Sequence, residues 1–112
     1  FLQAAATTEF SPLSLHDALP ICLISQDWID FGRTPAPATV GKGGYYGGQW
    51  WLVPEGRDDV PTDAYSTSGN RGQYTIVVPS HKLVIVRRGL DYGRQGFDRW
   101  SLTREVLKAI DE

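Results

Sequence analysis

Cysteine occurs once in the 112 residues, and histidine twice. Cys22 alone cannot close an internal disulfide, and no Cys/His cluster has the spacing of zinc ligands, so no metal is expected. No apolar run approaches the roughly 20 residues that a transmembrane helix needs, so no membrane span is expected. Charge of one sign is also lacking: 11 basic residues face 13 acidic ones, for a net −2. That balance gives no push towards nucleic acid or an anionic membrane. No basic segment leads into an apolar core, so no signal peptide is expected. The start at Phe1 reads as part of a longer reading frame. Gly41–Gly48 is glycine-rich but lacks the G-x-x-x-x-G-K-[ST] spacing and has no helix start behind it, which excludes a phosphate-cradling loop. No internal repeat is visible.

What is present fits one small globular domain: 41% apolar and 21% charged residues, with no compositional case for disorder. The clearest stretch is Ser66–Gly89. Two β-branched runs, Tyr74–Val78 and Leu83–Val86, flank the short link Pro79–Lys82, which predicts an antiparallel hairpin. Their nearly continuous apolar character predicts interior strands covered on both faces. Just before the first strand, Ser68–Gly72 carries two glycines. They allow a positive φ, or a close approach of backbone to a ligand.

Thr67–Tyr74, together with Val77–Arg87, resembles the third motif and following hairpin of serine hydrolases of the β-lactamase superfamily. The likeness is nearest to the esterase branch, related to class C β-lactamases and penicillin-binding proteins. In that family the motif is Lys-Thr-Gly or His-Thr-Gly on a strand lining the active site. Here Thr67, Ser68 and Gly69 stand at those positions, so the basic first residue is absent, which leans away from a penicillinase. The resemblance implies that Ser68 contacts the substrate carbonyl or carboxylate and that Gly69 permits close approach. It assigns the Asn70 N–H to the oxyanion hole. It also implies a small-molecule ester or amide substrate and no cofactor. Trp28–Pro37 resembles the family segment just before its next core strand, and the Tyr46-Gly-Gly-Gln-Trp-Trp51 stretch resembles the family strand at this position in the sheet.

The family's chemistry needs a nucleophilic Ser in Ser-x-x-Lys, with a Tyr or Ser assisting proton transfer. None of Ser11, Ser14, Ser25, Ser66, Ser68, Ser80 or Ser101 has Lys three residues on. None of Tyr45, Tyr46, Tyr65, Tyr74 or Tyr92 begins a Tyr-x-Asn. No catalytic residue is therefore expected in this chain, and the resemblance covers about Leu23 to Ile110 as the C-terminal part of a longer enzyme. Leu13–Ile21 resembles the conceptual translation of a common sequencing-adapter oligonucleotide. Residues 1–22 are accordingly expected to be a non-native leader, the alternative being a short helix from Leu13 to Leu19 stopped by Pro20.

The other expectations are local. Ser25 caps a helical turn bearing Trp28 and Phe31. Arg33–Thr39, with Pro35 and Pro37, is extended. Tyr45–Val53 is a strand on which Trp50 and Trp51 face opposite ways. Pro54–Asp63 is a polar loop, in which Asp58 and Asp59 read as solvated rather than as a metal pair. Tyr65 is a packing aromatic, and His81 a turn residue. Arg87 and Arg88 are strand-end charges on opposite faces. A C-terminal helix runs from Phe97 or Asp98 to Ile110, with Asp98 as N-cap. Its apolar stripe is Leu102, Val106, Leu107 and Ile110, and Arg104, Glu105, Lys108 and Asp111 face away. The expected fold is α+β: an antiparallel sheet of about three strands with that helix on one face. The competing functional class is a non-enzymatic binding module with Tyr45, Tyr46, Trp50 and Trp51 as a flat platform for sugar or peptide.

Overall fold

The computed structural model describes residues 23–42, 45–92 and 96–111. The expectations for residues 1–22 lie outside them. The architecture is α+β. Helix α1 (Gln26–Arg33) precedes a four-stranded antiparallel sheet, β1 (Trp51–Leu52), β2 (Tyr65–Ser66), β3 (Tyr74–Val78) and β4 (Leu83–Arg87), and helix α2 (Arg99–Asp111) closes the chain. Strand order follows the chain, β1-β2-β3-β4.

The hairpin forms where the β-branched runs predict it, in the register Tyr74↔Arg87, Ile76↔Ile85 and Val78↔Leu83. A 3-10 turn over Pro79–His81 joins the strands, with Lys82 in the left-handed region at φ 50°. The expectation of two interior strands needs correcting for the second. β3 is interior, but β4 is the outer strand of the sheet, and Val86 is 64% exposed. An apolar run shows β-propensity and does not by itself show which strand is flanked on both sides.

Alternation along β3 defines the two faces. Ile76 and Val78 point to the side of α2, where they pack with Val60, Ala64 and Trp100 as the core. Thr75 and Val77 point to the other side, where Val77 meets Tyr65 of β2 and Val84 of β4 in register. The second face is covered only in part. The Trp50 ring lies edge-on to Tyr65, with centroids 4.9 Å apart. The Arg33 guanidinium lies 5.9 Å from the same ring. Burial pushes the Tyr65 hydroxyl pKa up, in keeping with a packing role. Towards β4 this face stays open around Val86.

Three local expectations change. Tyr45–Val53 is not one strand: it folds back on itself, with a bridge between Tyr46 and Trp51. The Gly47 N–H donates to Trp50 O at 2.8 Å, and Gln49 takes φ 74°. The cause lies in α1. The Gly48 N–H donates to Gly32 O at 3.0 Å, and a Cβ at Gly47 would collide with that same carbonyl. Pro37 opens a 3-10 turn, Pro37–Thr39, in a segment expected to be extended throughout; proline suits the first position of such a turn. The buried stripe of α2 is Trp100, Thr103 and Leu107. Leu102 and Val106 are half-buried, and Ile110 is 58% exposed. Trp100, anchored in the core, sets the rotation of the helix, which turns Arg104 inward to Asp59 at 3.1 Å.

The caps form as expected. Ser25 Oγ accepts from the Trp28 N–H at 3.2 Å, and Asp98 Oδ1 accepts from the Trp100 N–H at 3.0 Å. Asp98 also accepts from Arg57 at 2.7 Å and from Ser101 at 2.6 Å. Burial alone would raise its pKa, but the Ser101, Arg57 and Trp100 hydrogen bonds outweigh this and lower it to about 2.

Candidate functional site

The segment Thr67–Gly69 prolongs β2 alongside the start of β3, and Asn70 opens the turn. The Thr67 N–H donates to Thr75 O at 2.9 Å, and the Gly69 N–H to Gln73 O at 2.7 Å. The Thr75 N–H returns to Thr67 Oγ1 at 3.0 Å. In an antiparallel pair, main-chain groups alternate between the partner strand and the opposite side. Ser68 therefore turns its N–H away from β3, and neither this N–H nor that of Asn70, in the turn that follows, has an acceptor among the described residues. Both residues are exposed. The chain then reverses through Arg71 at φ 62° and Gly72 at φ 82°. Left-handed residues in succession are what a tight hairpin link demands, and glycine takes that region without strain.

A polar clamp fixes the reversal. Arg87 reaches across from β4 and donates to Gly72 O at 2.7 Å. It also grips the Asp91 carboxylate with two bonds of 2.9 Å. The Asp91 N–H donates to Arg71 O at 3.1 Å. Gln73 exchanges both amide bonds with the main chain of Gly89, accepting the Gly89 N–H at 3.1 Å. The Arg87 guanidinium also lies 3.8 Å from the Phe97 ring centroid, a cation–π contact. Its hydrogen bond from Arg87 holds the Asp91 carboxyl below its usual pKa. A Cβ at Gly72 or at Gly89 would strike the Arg87 guanidinium, so both glycines serve close approach as well as backbone freedom.

The four expected site residues, Thr67, Ser68, Gly69 and Asn70, thus lie together at the entry to β3. A shallow depression of about 210 Å³ opens beside them, lined by Thr67, Ser68, Gly69, Thr75, Val86 and Arg88. Gln73, Arg87 and Asp91 were not singled out by sequence as holding this corner. The available signal was an Arg and an Asp four residues apart around a glycine, immediately after a strand. A larger groove of about 530 Å³ lies elsewhere, between the end of α1 and the Pro54–Asp63 loop. Its Arg57 is committed to Asp59 and Asp98, and its Asp63 to Ser80.

Other candidate groups resolve into structure. Asp59 binds Arg57 at 2.8 Å and Arg104 at 3.1 Å, while Asp58 is exposed. Ser80 Oγ lies 3.0 Å from Asp63 Oδ1 and 3.1 Å from His81 Nδ1. The serine stands between the acid and the imidazole, so the acid does not orient the imidazole as a base for it. This is not the order of a catalytic triad. Among the described residues, no group of three His, Cys, Asp or Glu is placed to hold a metal. No helix among them is long and apolar enough to cross a membrane. Of the aromatics considered as a platform, Trp51 packs between Tyr45 and Tyr46, at 5.6 and 4.7 Å between centroids. Trp50 packs on Tyr65 instead, so the rings divide between two faces. Compared with protein-family models, curated proteins and solved structures, the chain matches none.

Proposed function

We propose that residues 23–112 form the C-terminal wall of a serine hydrolase of the β-lactamase-like kind, cleaving an ester or amide through an acyl-enzyme. The observation that supports this reading best is the pair of main-chain N–H groups, at Ser68 and Asn70, that are free among the described residues and flank Gly69 on the exposed segment leading into β3. Main-chain donors held by a rigid scaffold suit a developing oxyanion, because they need no reorganisation as charge builds. In this reading the attacking serine and its lysine come from polypeptide upstream. The substrate acyl group lies over Gly69, with its carbonyl oxygen towards the Asn70 N–H. The Ser68 hydroxyl binds a second polar group of the substrate. Arg87, Asp91 and Gln73 touch no substrate; they fix the corner to the next strand. The wall alone has no nucleophile and is inactive, since loss of the attacking group removes most of the rate enhancement.

The deciding experiment reads the nucleic-acid sequence upstream of the codon for Leu23. In-frame Ser-x-x-Lys and Tyr-x-Asn motifs are expected there, and an upstream frame lacking both would overturn the reading. A fluorophosphonate probe supplies the chemical counterpart. It should leave the 112-residue chain unlabelled and label the longer protein at the upstream serine. Labelling of the short chain itself would contradict the assignment.

A further inference from the structure

Among the described residues, the outer side of β4 is an unpaired sheet edge. Thr75 directs its main-chain groups to β2, as its bonds with Thr67 show. Tyr74, Ile76 and Val78 therefore direct theirs to β4, and their partners Arg87, Ile85 and Leu83 face back. Val84 and Val86 are left with their N–H and C=O groups pointing out of the sheet. No described strand pairs with that side. Two of the usual guards of an edge are missing: Leu83–Arg87 contains no proline, and its pairing with β3 runs without a bulge. The ends of the edge are basic. Lys82 and Arg88 are exposed, and neither makes an ion pair among the described residues. They flank the strand, Lys82 as the left-handed turn residue before it and Arg88 just after it.

We infer that this edge accepts an extended strand from another polypeptide, β-branched and uncharged at its centre and acidic at both ends. Four main-chain hydrogen bonds to Val84 and Val86 supply the attachment, as in other cases of strand addition. Acidic ends meet Lys82 and Arg88. A second copy of this chain fits worse. Antiparallel pairing about Ile85 sets Lys82 opposite the other copy's Arg88, at both ends, and facing like charges destabilise a strand pair. Moving the two-fold to Val86 removes that clash but lays Arg88 against Val84. The inference does not rest on the hydrolase reading, because it uses only the sheet edge and its flanking charges.

The test uses the 112-residue chain and fluorescein-labelled peptides with a Val-Thr-Val-Thr-Val centre, flanked by Glu in one and by Lys in the other. Fluorescence polarisation should show saturable binding of the Glu-flanked peptide, with the Lys-flanked peptide at least about tenfold weaker. The double substitution Lys82→Glu, Arg88→Glu should reverse that preference. Val86→Pro removes an outward donor while leaving the β3 ladder intact, and should abolish binding. Should that variant not fold, N-methylation of alternate residues of the Glu-flanked peptide removes the same bonds from the other side. Equal binding of both peptides, no binding of either, or binding that survives N-methylation would overturn the inference. A concentration-dependent dimer in light scattering would overturn it as well, by putting a second copy on the edge.

Discussion

The two halves of the sheet are built by different means. β3 and β4 pair over five residues each, and their order comes from a continuous main-chain ladder between β-branched runs. β1 and β2 pair over two residues each. What holds β1 in place is largely outside the ladder: the Tyr46–Trp51 bridge, the edge-on Trp50–Tyr65 contact, and the packing of Gly47 and Gly48 against the carbonyl end of α1. The lesson concerns where specificity resides. The hairpin depends on a run of similar residues, and one change leaves most of its bonds in place. The β1 side depends on single positions, and its Trp50–Tyr65 and Gly47–Gly32 contacts join residues 15 apart, so one change there removes the whole contact.

The largest expected effect would break this contrast. Ile76 is fully buried in the core under α2, and Ile76→Ala should cost about 2–5 kcal/mol in urea unfolding. The loss should be global, with hydrogen-exchange protection falling across both halves. A loss confined to the hairpin would show that the halves fold separately. Gly47→Ala should cost less, about 1–3 kcal/mol, since the added methyl has to displace main chain. Its signature should be local: faster exchange in Gln26–Arg33 and Trp51–Leu52, with Tyr74–Arg87 unchanged. Equal loss in both regions would erase the distinction. The smallest effect concerns pH. The carboxyl of Asp98 titrates near 2 in the fold and near 3.8 in its ordinary state. A lowered carboxylate pKa means that the unfolded chain binds the proton first as pH falls. The Asp98 contribution is therefore complete above about pH 4 and fades between about 4 and 2. Because the side chain is nearly half exposed, solvent screening keeps that contribution small. Asp98→Asn should flatten this part of the acid-stability curve, and an unchanged curve would remove Asp98 from the account.

How much was legible in the sequence follows the same division. The hairpin, the glycine corner and both helix caps are local patterns, and each formed at the residues that encode it. Ser25 and Asp98 are polar side chains set just before a helix, and their effect reaches only two or three residues. The Tyr45–Val53 reversal was not legible, because Gly47 and Gly48 acquire their meaning from Gly32, fifteen or more residues earlier. The clamp was hidden for a related reason. Arg87 reads as a charge at the end of a strand until the chain beyond it turns back and brings Asp91 beneath its guanidinium. The buried face of α2 differs from the stripe Leu102, Val106, Leu107 and Ile110 because Trp100, outside that stripe, has the larger surface to bury and sets the rotation. The candidate site residues came together because they are consecutive; the residues that steady them were out of reach.

The loop–helix ion pairs have one more consequence. Asp98, Arg57, Asp59, Arg104, Glu105 and Lys108 succeed one another with alternating sign, three of each. Such an array cancels its own field at a distance, so a passing ion or ligand feels almost nothing of it beyond the first nanometre. The C-terminal helix is thereby fastened to the neighbouring loop without lending that flank any long-range pull of its own.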